Sequence, residues 1–430
     1  MPYWIRYATA CLLITFGLSG LSLHAQDLTE ADLRGAEAEE GLFTVYELDD
    51  RILFEIPEAM LGRDMAVMSR YAQAQDGLAQ GGGRLNQNMV VQWETRGDHI
   101  YLRTQSHSTT ADEDDNVHLA VQNSNFAPVI ARFPVEFTRN GAAVIDVTDL
   151  YMGDHPSFSL PEQRRSDLGV RAYDRDRSWL EWTRSFPENI EIRSVRTYDA
   201  TNPPSNERGG TVSFEINHSM ILLPEEPMMP RLADERVTYI TVTQTDYSRD
   251  FQGVRPYQYL RRFRLEPSDM EAFEQGELVE PKEPIVWYID PATPEEWIPY
   301  YKEGIMEWED AFEKAGFKNA LDVKVAPTEE EDPEFSLLDA RYNVIRHVAT
   351  PVRSANAGGD VVDPRSGEVI RAHMKMNRSS TIIPRSINCS ASALHSFKTR
   401  PATTTKNFPS RPAVSLVNSG KPFCFDPFPR

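Results

Sequence analysis

Histidine is the first residue type to consider, because a hydrolytic zinc site needs imidazole ligands at a fixed spacing. Two histidines four residues apart lie on one face of a helix and hold Zn²⁺, while a glutamate after the first polarises the attacking water. The sequence holds nine histidines, and none is followed by Glu. They are His24, His99, His107, His118, His155, His218, His347, His373 and His395. We therefore predict neither catalytic nor metal-ligating residues in this chain.

An acidic run, Asp112-Glu113-Asp114-Asp115-Asn116, offers oxygen ligands of the kind that bind Ca²⁺. An EF-hand loop requires Gly at its sixth position and Glu at its twelfth, whereas this run has Val117 and Asn123 there. We therefore expect a solvated acidic loop, with calcium binding as the less favoured alternative.

His218 follows an alternating strand pattern over residues 211–217 and precedes a Met-rich turn. A lone histidine with no second ligand nearby favours a structural hydrogen bond over a metal. A nucleophilic hydrolase also lacks a sequence signal, because no Gly-x-Ser-x-Gly elbow is present.

The N-terminal segment predicts export. Arg6 supplies one positive charge, residues 11–23 are almost entirely apolar, and Ala25 provides a small residue before Gln26. This order is typical of a signal peptide over residues 1–25, cleaved between Ala25 and Gln26. A membrane anchor is the alternative, but the apolar stretch is shorter than the roughly 20 residues that a spanning helix needs. We expect a periplasmic or extracellular protein without membrane contact after signal removal.

The formal net charge of −20 disfavours binding to nucleic acid and to anionic membranes. An acidic binding surface and an ordinary soluble exported protein both explain this charge, so it identifies no partner. Once the signal is removed, only Cys389 and Cys424 remain, both near the C-terminal end. We therefore expect the main body to fold without disulfides or cysteine ligands.

Strand signals dominate the first half of the chain. Residues 26–41 are acidic and Ala-rich, which predicts an exposed leader before regular structure starts near Val45. Residues 42–283 are predicted to form a β-rich region of one or two domains, because short β-branched or aromatic runs alternate there with turn residues. The predicted strands are 51–57, 64–70, 88–94, 99–104, 143–147, 189–197, 211–217, 237–244 and 257–265.

A second domain is predicted to start at Pro284. Residues 285–289 are continuously apolar, as in a strand buried on both faces. Thr293 can cap a following helix that has Pro294 at its first position and ends near Gly316. Strands at 321–325 and 342–348 then give a β-α-β-β order, in which one helix covers a sheet. The apolar stripe of that helix is Trp297, Tyr301, Ile305, Trp308 and Phe312.

Seven groups of short motifs lie between residues 42 and 372. They are Glu55-Ile56-Pro57 with Leu61-Gly62-Arg63-Asp64, Ser124-Asn125-Phe126, Phe186-Pro187-Glu188-Asn189-Ile190-Glu191, Asn217-His218-Ser219-Met220, Pro227-Met228-Met229-Pro230-Arg231 with Asp234-Glu235-Arg236-Val237, Ile289-Asp290-Pro291-Ala292-Thr293-Pro294, and Asp363-Pro364-Arg365-Ser366-Gly367-Glu368. Together they resemble the exported bacterial zinc-dependent metalloproteases of the met-zincin kind, in which β-rich domains of unknown function precede the catalytic domain. The resemblance implies a zincin-like α/β domain from residue 284, with zinc as the cofactor of the full-length family. It also implies a His-Glu-x-x-His helix soon after the last strand, and a third ligand further on.

The sequence changes character after Met376. Residues 374–430 contain nine Lys or Arg and only Asp426 as an acid, whereas residues 1–373 carry a net charge of −28. The segment is rich in Ser, Thr and Pro and has no helical or strand period, which predicts a disordered basic tail. We hypothesise a reading-frame shift near Met376, which leaves the catalytic domain truncated over residues 284–373. The alternative is a genuine basic tail that binds acidic partners or the cell envelope.

The overall expectation is an α+β fold with a β-rich N-terminal region, the truncated start of a zincin-like α/β domain and a disordered tail. The first functional hypothesis is an inactive or truncated member of the zinc metallopeptidase family, with no cofactor in this chain. A hydrolase built on another constellation, such as Ser-His-Asp, is the least favoured hypothesis.

The remaining hypothesis is an exported non-catalytic protein that binds peptides or envelope proteins. A sheet edge beside a catalytic cleft can pair its backbone with an extended peptide. We expect that edge at Tyr342, Asn343, Val344, Ile345 and Arg346, where an ordinary half-buried edge strand is an equal alternative.

Overall fold

Strands are the main regular structure in the first half of the chain, where β-branched and aromatic runs alternate with turn residues. The computed structural model describes residues 28–79, 81–204, 209–234, 236, 240–248, 253–328, 330–349 and 357–377. The strands up to residue 222 are β1 Glu37–Glu39, β2 Thr44–Leu48, β3 Arg51–Ile56, β4 Met65–Ala74, β5 Met89–Arg96, β6 His99–Gln105, β7 Thr109–Thr110, β8 Val129–Pro134, β9 Phe137–Arg139, β10 Ala142–Asp146, β11 Val170–Ser185, β12 Asn189–Ala200 and β13 Thr211–Leu222. The α-helices of this part are α1 Val117–Ser124, α2 Thr148–Met152 and α3 Glu162–Leu168.

Helices and strands mix after residue 222. The strands are β14 Thr241–Asp246, β15 Pro256–Leu260, β16 Ile285–Ile289, β17 Leu321–Val325, β18 Asn343–Val348, β19 Ala357–Val362 and β20 Val369–Asn377. The α-helices are α4 Met270–Glu274, α5 Ile298–Met306 and α6 Glu309–Lys314. The predicted α+β fold with a β-rich N-terminal region is confirmed. Within the described part of the chain, no helix is both long and apolar enough to cross a lipid bilayer.

Three larger sheets organise these strands. The front sheet has the order β1-β2-β3-β10-β9, and the central sheet has the order β11-β12-β13-β4-β5-β6-β8. Neighbouring strands in both sheets are antiparallel. The C-terminal sheet has the order β17-β16-β18-β20-β19, in which only β19 runs antiparallel to its neighbour. A small sheet, β15-β14-β7, completes the described strands.

The main apolar core lies between the front and central sheets. Successive residues of β4 point to opposite faces, so Met65 and Val67 enter this core while Ala66 and Met68 face away from it. Trp93 of β5 is fully buried there, and its ring lies 6.0 Å from the ring of Phe54. Each large apolar side chain buried in this way contributes roughly 1.5–3 kcal/mol.

Regular structure starts earlier than the sequence indicates. Most described residues of the predicted exposed leader over 26–41 are exposed, but Leu28 and Leu33 are buried against Tyr46 and Leu53. Strand β1 also pairs with β2 in the front sheet. The apolar contacts of two leucines in an otherwise acidic segment hold it against the sheet.

The single helix predicted after Thr293 is also wrong. A 3-10 turn at Glu295–Trp297 is followed by α5 and α6, and Trp308 between them is 52% exposed. The Thr293 hydroxyl makes no capping hydrogen bond. Asp290 forms a turn at this place instead, in which its Oδ1 accepts the Ala292 N–H and its carbonyl accepts the Thr293 N–H. Gly316 does end the helical segment, with a φ of +99°.

The predicted disordered tail starts too early. Residues 374–377 continue β20 and pair with β18 on one side, and Met374 and Lys375 also pair with β19 on the other. Backbone pairing on both sides overrides the polar composition of this segment. The rest of the predicted tail lies outside the described residues.

Candidate functional site

Strand β18 is an interior strand and does not form the sheet edge predicted at Tyr342 to Arg346. It pairs in parallel with β16 on one side and with β20 on the other. The Asn343 side chain reinforces both pairings, because its Nδ2 donates to the Val286 carbonyl at 3.1 Å and its Oδ1 accepts the Ala372 N–H at 2.8 Å. The prediction is wrong because β20, which starts more than 20 residues later, occupies the place beside β18.

The edge position belongs to β19 instead. This strand pairs antiparallel with β20 along one side, from Ala357 opposite Lys375 to Val362 opposite Val369. Its other side has no neighbouring strand in the described structure. The C-terminal sheet therefore presents one antiparallel edge strand, to which no further strand pairs in the described structure.

The other sequence-predicted positions have structural roles or lie outside the described residues. Ala25 and Gln26, the predicted cleavage site, lie outside them. His218 is buried, its Nδ1 lies 2.8 Å from Ser69 Oγ, and burial lowers its pKa to about 3. The predicted structural hydrogen bond is therefore present. The acidic run 112–116 is exposed and bonds mainly to its own backbone, as in the Asp114 N–H to Asp112 Oδ1 bond.

Zinc does not fit the described residues of the C-terminal sheet. His347 lies on β18 and His373 on β20, where the pairing of Val344 with His373 puts the two histidines on opposite faces. The neighbours of His373 are the cations Arg70 and Lys375, which repel a metal ion. No group of three His, Cys, Asp or Glu side chains suitable for a metal occurs in the described ranges.

The back face of the central sheet packs against the C-terminal sheet, and one end of this junction is apolar. Ala66, Met68 and Ile221 from the central sheet contact Ala340 and Val361 in a small buried cluster. These residues occupy the strand positions that alternate with those of the main core. The central sheet is therefore buried on both faces at this end.

The other end of the junction is charged, and Glu191 lies at its centre. Its side chain is fully buried and accepts hydrogen bonds from Asn189 Nδ2 at 2.8 Å, Ser219 Oγ at 2.7 Å and Asn217 Nδ2 at 2.5 Å. Burial raises the pKa of Glu191, and the nearby Arg371 opposes that shift. The three hydrogen bonds fix the carboxylate in one orientation.

Arg371 and Arg70 lie near this carboxylate, and further basic side chains follow along β20. Arg371, His373 and Lys375 project from alternate positions of β20, and Arg70 projects from β4, each at most 9% exposed. Burial lowers the pKa of Arg70 to about 9 and that of Lys375 to about 8. Burial, followed by the charge of Arg70, lowers the pKa of His373 well below 6.5. We call these four residues together with Glu191 the charged junction.

The segment between β17 and β18 is clamped across the charged junction. Asn189 of the central sheet donates to the Leu338 carbonyl at 3.1 Å and accepts the Ala340 N–H at 2.8 Å. Arg371 of the C-terminal sheet donates to the carbonyls of Leu337 and Leu338. The two sheets therefore hold the same backbone segment from opposite sides.

Sequence reasoning missed the charged junction as a site. The available signal was the alternation Arg371-x-His373-x-Lys375, which places three basic residues on one strand face. Such a pattern usually marks a solvent-exposed face. This face of β20 is buried because the central sheet packs against it.

Comparison with known families gives two matches, both in the β-rich region. Residues 33–74 match a domain of unknown function (DUF5118), and residues 82–268 match a domain of unknown function (DUF5117). No curated protein and no solved structure matches the chain. Two successive segments of the N-terminal region are therefore similar to domains of unknown function, which is consistent with the resemblance for the part that precedes the C-terminal sheet.

Proposed function

We propose that this chain is a hydrolytically inactive member of an exported, zinc-dependent metalloprotease family. The observation that carries the proposal is the C-terminal sheet, which reaches β20 at Asn377, where the family resemblance implies a following His-Glu-x-x-His helix. The sequence contains no such motif after that strand or anywhere else. Under this proposal, the C-terminal sheet corresponds to the start of the family's catalytic domain, and the zinc ligands that would follow it are absent from the sequence.

Contacts between motifs that lie far apart in the sequence support one structural unit made of the β-rich region and the C-terminal sheet. Asp64 and Arg365 belong to motifs 300 residues apart, yet Arg365 Nη1 lies 3.4 Å from Asp64 Oδ2. Arg365 Nη2 also lies 2.8 Å from the buried Asp363 carboxylate and donates to the Pro224 carbonyl at 2.6 Å. The residues that carry the resemblance therefore join the β-rich region to the C-terminal sheet.

The first test is peptide hydrolysis by the purified chain. We expect no cleavage of casein or of a fluorogenic peptide library with added Zn²⁺, and no stoichiometric zinc after dialysis, because the ligand set is absent. An active metalloprotease serves as the positive control for both measurements. Zinc-dependent cleavage that a chelator abolishes would refute inactivity, and His347→Ala and His373→Ala would then show whether either histidine is involved.

The second test concerns family membership. Reading all frames of the gene from the codon of Asp360 onward should reveal a His-Glu-x-x-His-encoding stretch if a frame shift separated it from this chain. Absence of the motif from every frame would contradict the frame-shift hypothesis and leave inactivity unaffected.

Export is part of the same proposal and has its own measurement. Mass spectrometry of the chain recovered from a bacterial periplasm should find Gln26 as the first residue, because cleavage is expected after Ala25. An intact N-terminus in the cytoplasmic fraction would contradict export.

A second candidate function, non-catalytic binding of extended peptides, is favoured by the free edge of β19. Gly359 and Asp360 are consecutive, so their backbone N–H groups point to opposite sides of the strand. We expect one of Gly359→Pro and Asp360→Pro to weaken peptide binding with stability retained, and the other to destabilise the sheet. Fluorescence anisotropy with a random peptide library measures the binding. No binding by the wild type, or equal binding by the stable proline variant, would refute this function.

A further inference from the structure

The charged junction holds more positive than negative charge. Glu191 is hydrogen-bonded to three neutral side chains and makes no ion pair within 4.0 Å of Arg70 or Arg371 in the described structure. Asp339, the other fully buried carboxylate nearby, is already paired with Arg341 at 2.6 Å. Two buried guanidinium groups therefore share one carboxylate, and Lys375 adds a further positive charge whenever it is protonated.

Donor groups also lack acceptors in this place. Arg70 Nη2, Arg371 Nε and His373 Nε2 are buried and have no hydrogen-bond partner among the described residues. Each unsatisfied buried donor costs roughly 1–3 kcal/mol, so three of them in one cluster indicate a missing acceptor.

The tautomer of His373 follows from its contact with Arg70. The guanidinium can only donate, and its Nη1 lies 3.3 Å from His373 Nδ1, so Nδ1 accepts. A neutral imidazole then carries its proton on Nε2, which is the unpartnered atom. His373 thus presents an N–H donor that no described protein atom accepts.

A glycine loop brings this donor close to Lys375. A Cβ on Gly82 would lie 3.6 Å from His373 Cε1, the atom next to Nε2, and 3.3 Å from Lys375 Cδ. The loop is fixed by the Gly82 N–H, which donates to the Tyr71 carbonyl. Because Gly82 has no side chain, the backbone approaches both basic residues from one side.

We propose that Arg70, His373 and Lys375 form a binding site for a small oxyanion, either a phosphate or a carboxylate. Guanidinium and imidazole N–H groups match oxygen acceptors in geometry, and charge-assisted hydrogen bonds to an oxyanion are about twice as strong as neutral ones. A single bound oxyanion supplies negative charge to this cluster and accepts from Arg70 Nη2 and His373 Nε2. This site does not depend on the proposed loss of proteolysis.

The test is thermal unfolding of the full chain in inorganic phosphate, in acetate and in chloride at one ionic strength. We expect phosphate, acetate or both to raise the Tm saturably by about 2–4 °C relative to chloride, because a ligand that binds only the folded state stabilises it. Lys375→Met and His373→Gln should abolish the increase. Lys324→Met, which removes an exposed lysine from β17, should leave it unchanged.

Histidine NMR keeps the test decisive if a variant folds poorly. In the wild type, the bound anion should raise the pKa of His373 by about one unit or more, because it stabilises the imidazolium. Loss of the signal in His373→Gln assigns it, and Lys375→Arg serves as the charge-conserving control. Equal Tm values in all three salts, the same increase in Lys375→Met, or an unchanged His373 titration would overturn the proposal.

Discussion

The two faces of the central sheet are built from the same strands and achieve burial in different ways. On the front face, Val67, Trp93 and Met220 are almost fully buried in a continuous apolar core. On the back face, Ala66 and Met68 give way along the same strand to Arg70, which lies among charged partners. Strand alternation alone therefore assigns neighbouring residues to interfaces with opposite chemistry.

The two faces of the sheet contribute differently to stability and to the docking of the C-terminal sheet. Apolar burial is non-directional and roughly proportional to area, so the front face supplies most of the stability. A buried charge contributes little net stability even when it is paired, but the loss of its partner is costly. The back face therefore specifies how the C-terminal sheet docks, and it is sensitive to single charges.

The largest expected effect is on the front face. Trp93→Ala should lower the free energy of unfolding by about 4 kcal/mol, because the indole fills space between Phe43, Phe54 and Phe133. Urea unfolding followed by near-UV circular dichroism measures it. Trp179→Ala, at a site 53% exposed on β11, is the matched control and should cost less than about 1 kcal/mol. Equal losses of stability in Trp93→Ala and Trp179→Ala would contradict the conclusion that the front face supplies most of the stability.

The next effect concerns the buried carboxylate. Glu191→Gln keeps the shape and removes the buried negative charge that partly offsets the charges of Arg70 and Arg371, which should cost about 3 kcal/mol. Limited proteolysis near residue 338 should become faster, because the clamp on that segment loosens. Glu181→Gln on the exposed side of β11 is the control. Unchanged stability would mean that Glu191 is already protonated in the folded chain.

Lys375 and His373 predict a pH dependence. Both pKa values are lower in the folded chain, so the unfolded chain binds more protons and stability falls as pH falls. For Lys375 the window runs from about 10.5 down to about 8, and the loss is about 3 kcal/mol. For His373 the loss starts as pH falls through 6.5. As pH rises from about 8 to about 10.5, the wild type should gain stability from this group and Lys375→Met should not. The difference between their unfolding free energies, variant minus wild type, should therefore decrease as pH rises.

The matched measurement for the acidic window uses His373→Gln. Its unfolding free energy should change less than that of the wild type between pH 7 and pH 5. Parallel curves for a variant and the wild type in the corresponding window would show that the residue is not buried as described.

The smallest effect tests the glycine loop. Gly82 and Gly97 both have positive φ values, +72° and +64°, so alanine at either position should cost about 1 kcal/mol in backbone strain. Only Gly82 lies close to Lys375 and His373, whereas a Cβ on Gly97 meets open space. Gly82→Ala should therefore cost more than Gly97→Ala, and it alone should alter the His373 NMR signal. Identical effects would argue that the loop does not touch the charged junction.

The parts of the fold with local signals were predictable. Alternating apolar residues predicted a strand at 51–57, and β3 is observed at Arg51–Ile56. A continuous apolar run predicted a strand at 285–289, and β16 has these same bounds. Strand β11 was missed because most of its side chains are polar or charged and half of them are exposed, so no apolar face reveals it. Local pattern finds a strand only when one face enters an apolar core.

The candidate site could not be predicted because it depends on long-range pairing. Nothing near Tyr342 indicates that β20 pairs beside β18 and that β19 takes the edge. Likewise, Glu191 and Arg371 are 180 residues apart, and only the packing of two sheets brings their charges together. Sequence spacing carries no information about such contacts.

Strand β4 also has a consequence for how the gene can change in length. Loss of one codon between those for Met65 and Tyr71 would shift part of the strand by one residue, so that its side chains exchange faces of the sheet. Arg70 would then face the aromatic core, and an apolar residue would face the basic cluster. Such a deletion would damage two interfaces at once, which no single substitution in β4 does. Strand β11 at the sheet border already contains three register shifts against β12. Among surviving single-codon deletions, those in β11 should be common, whereas those in β4 should be nearly absent.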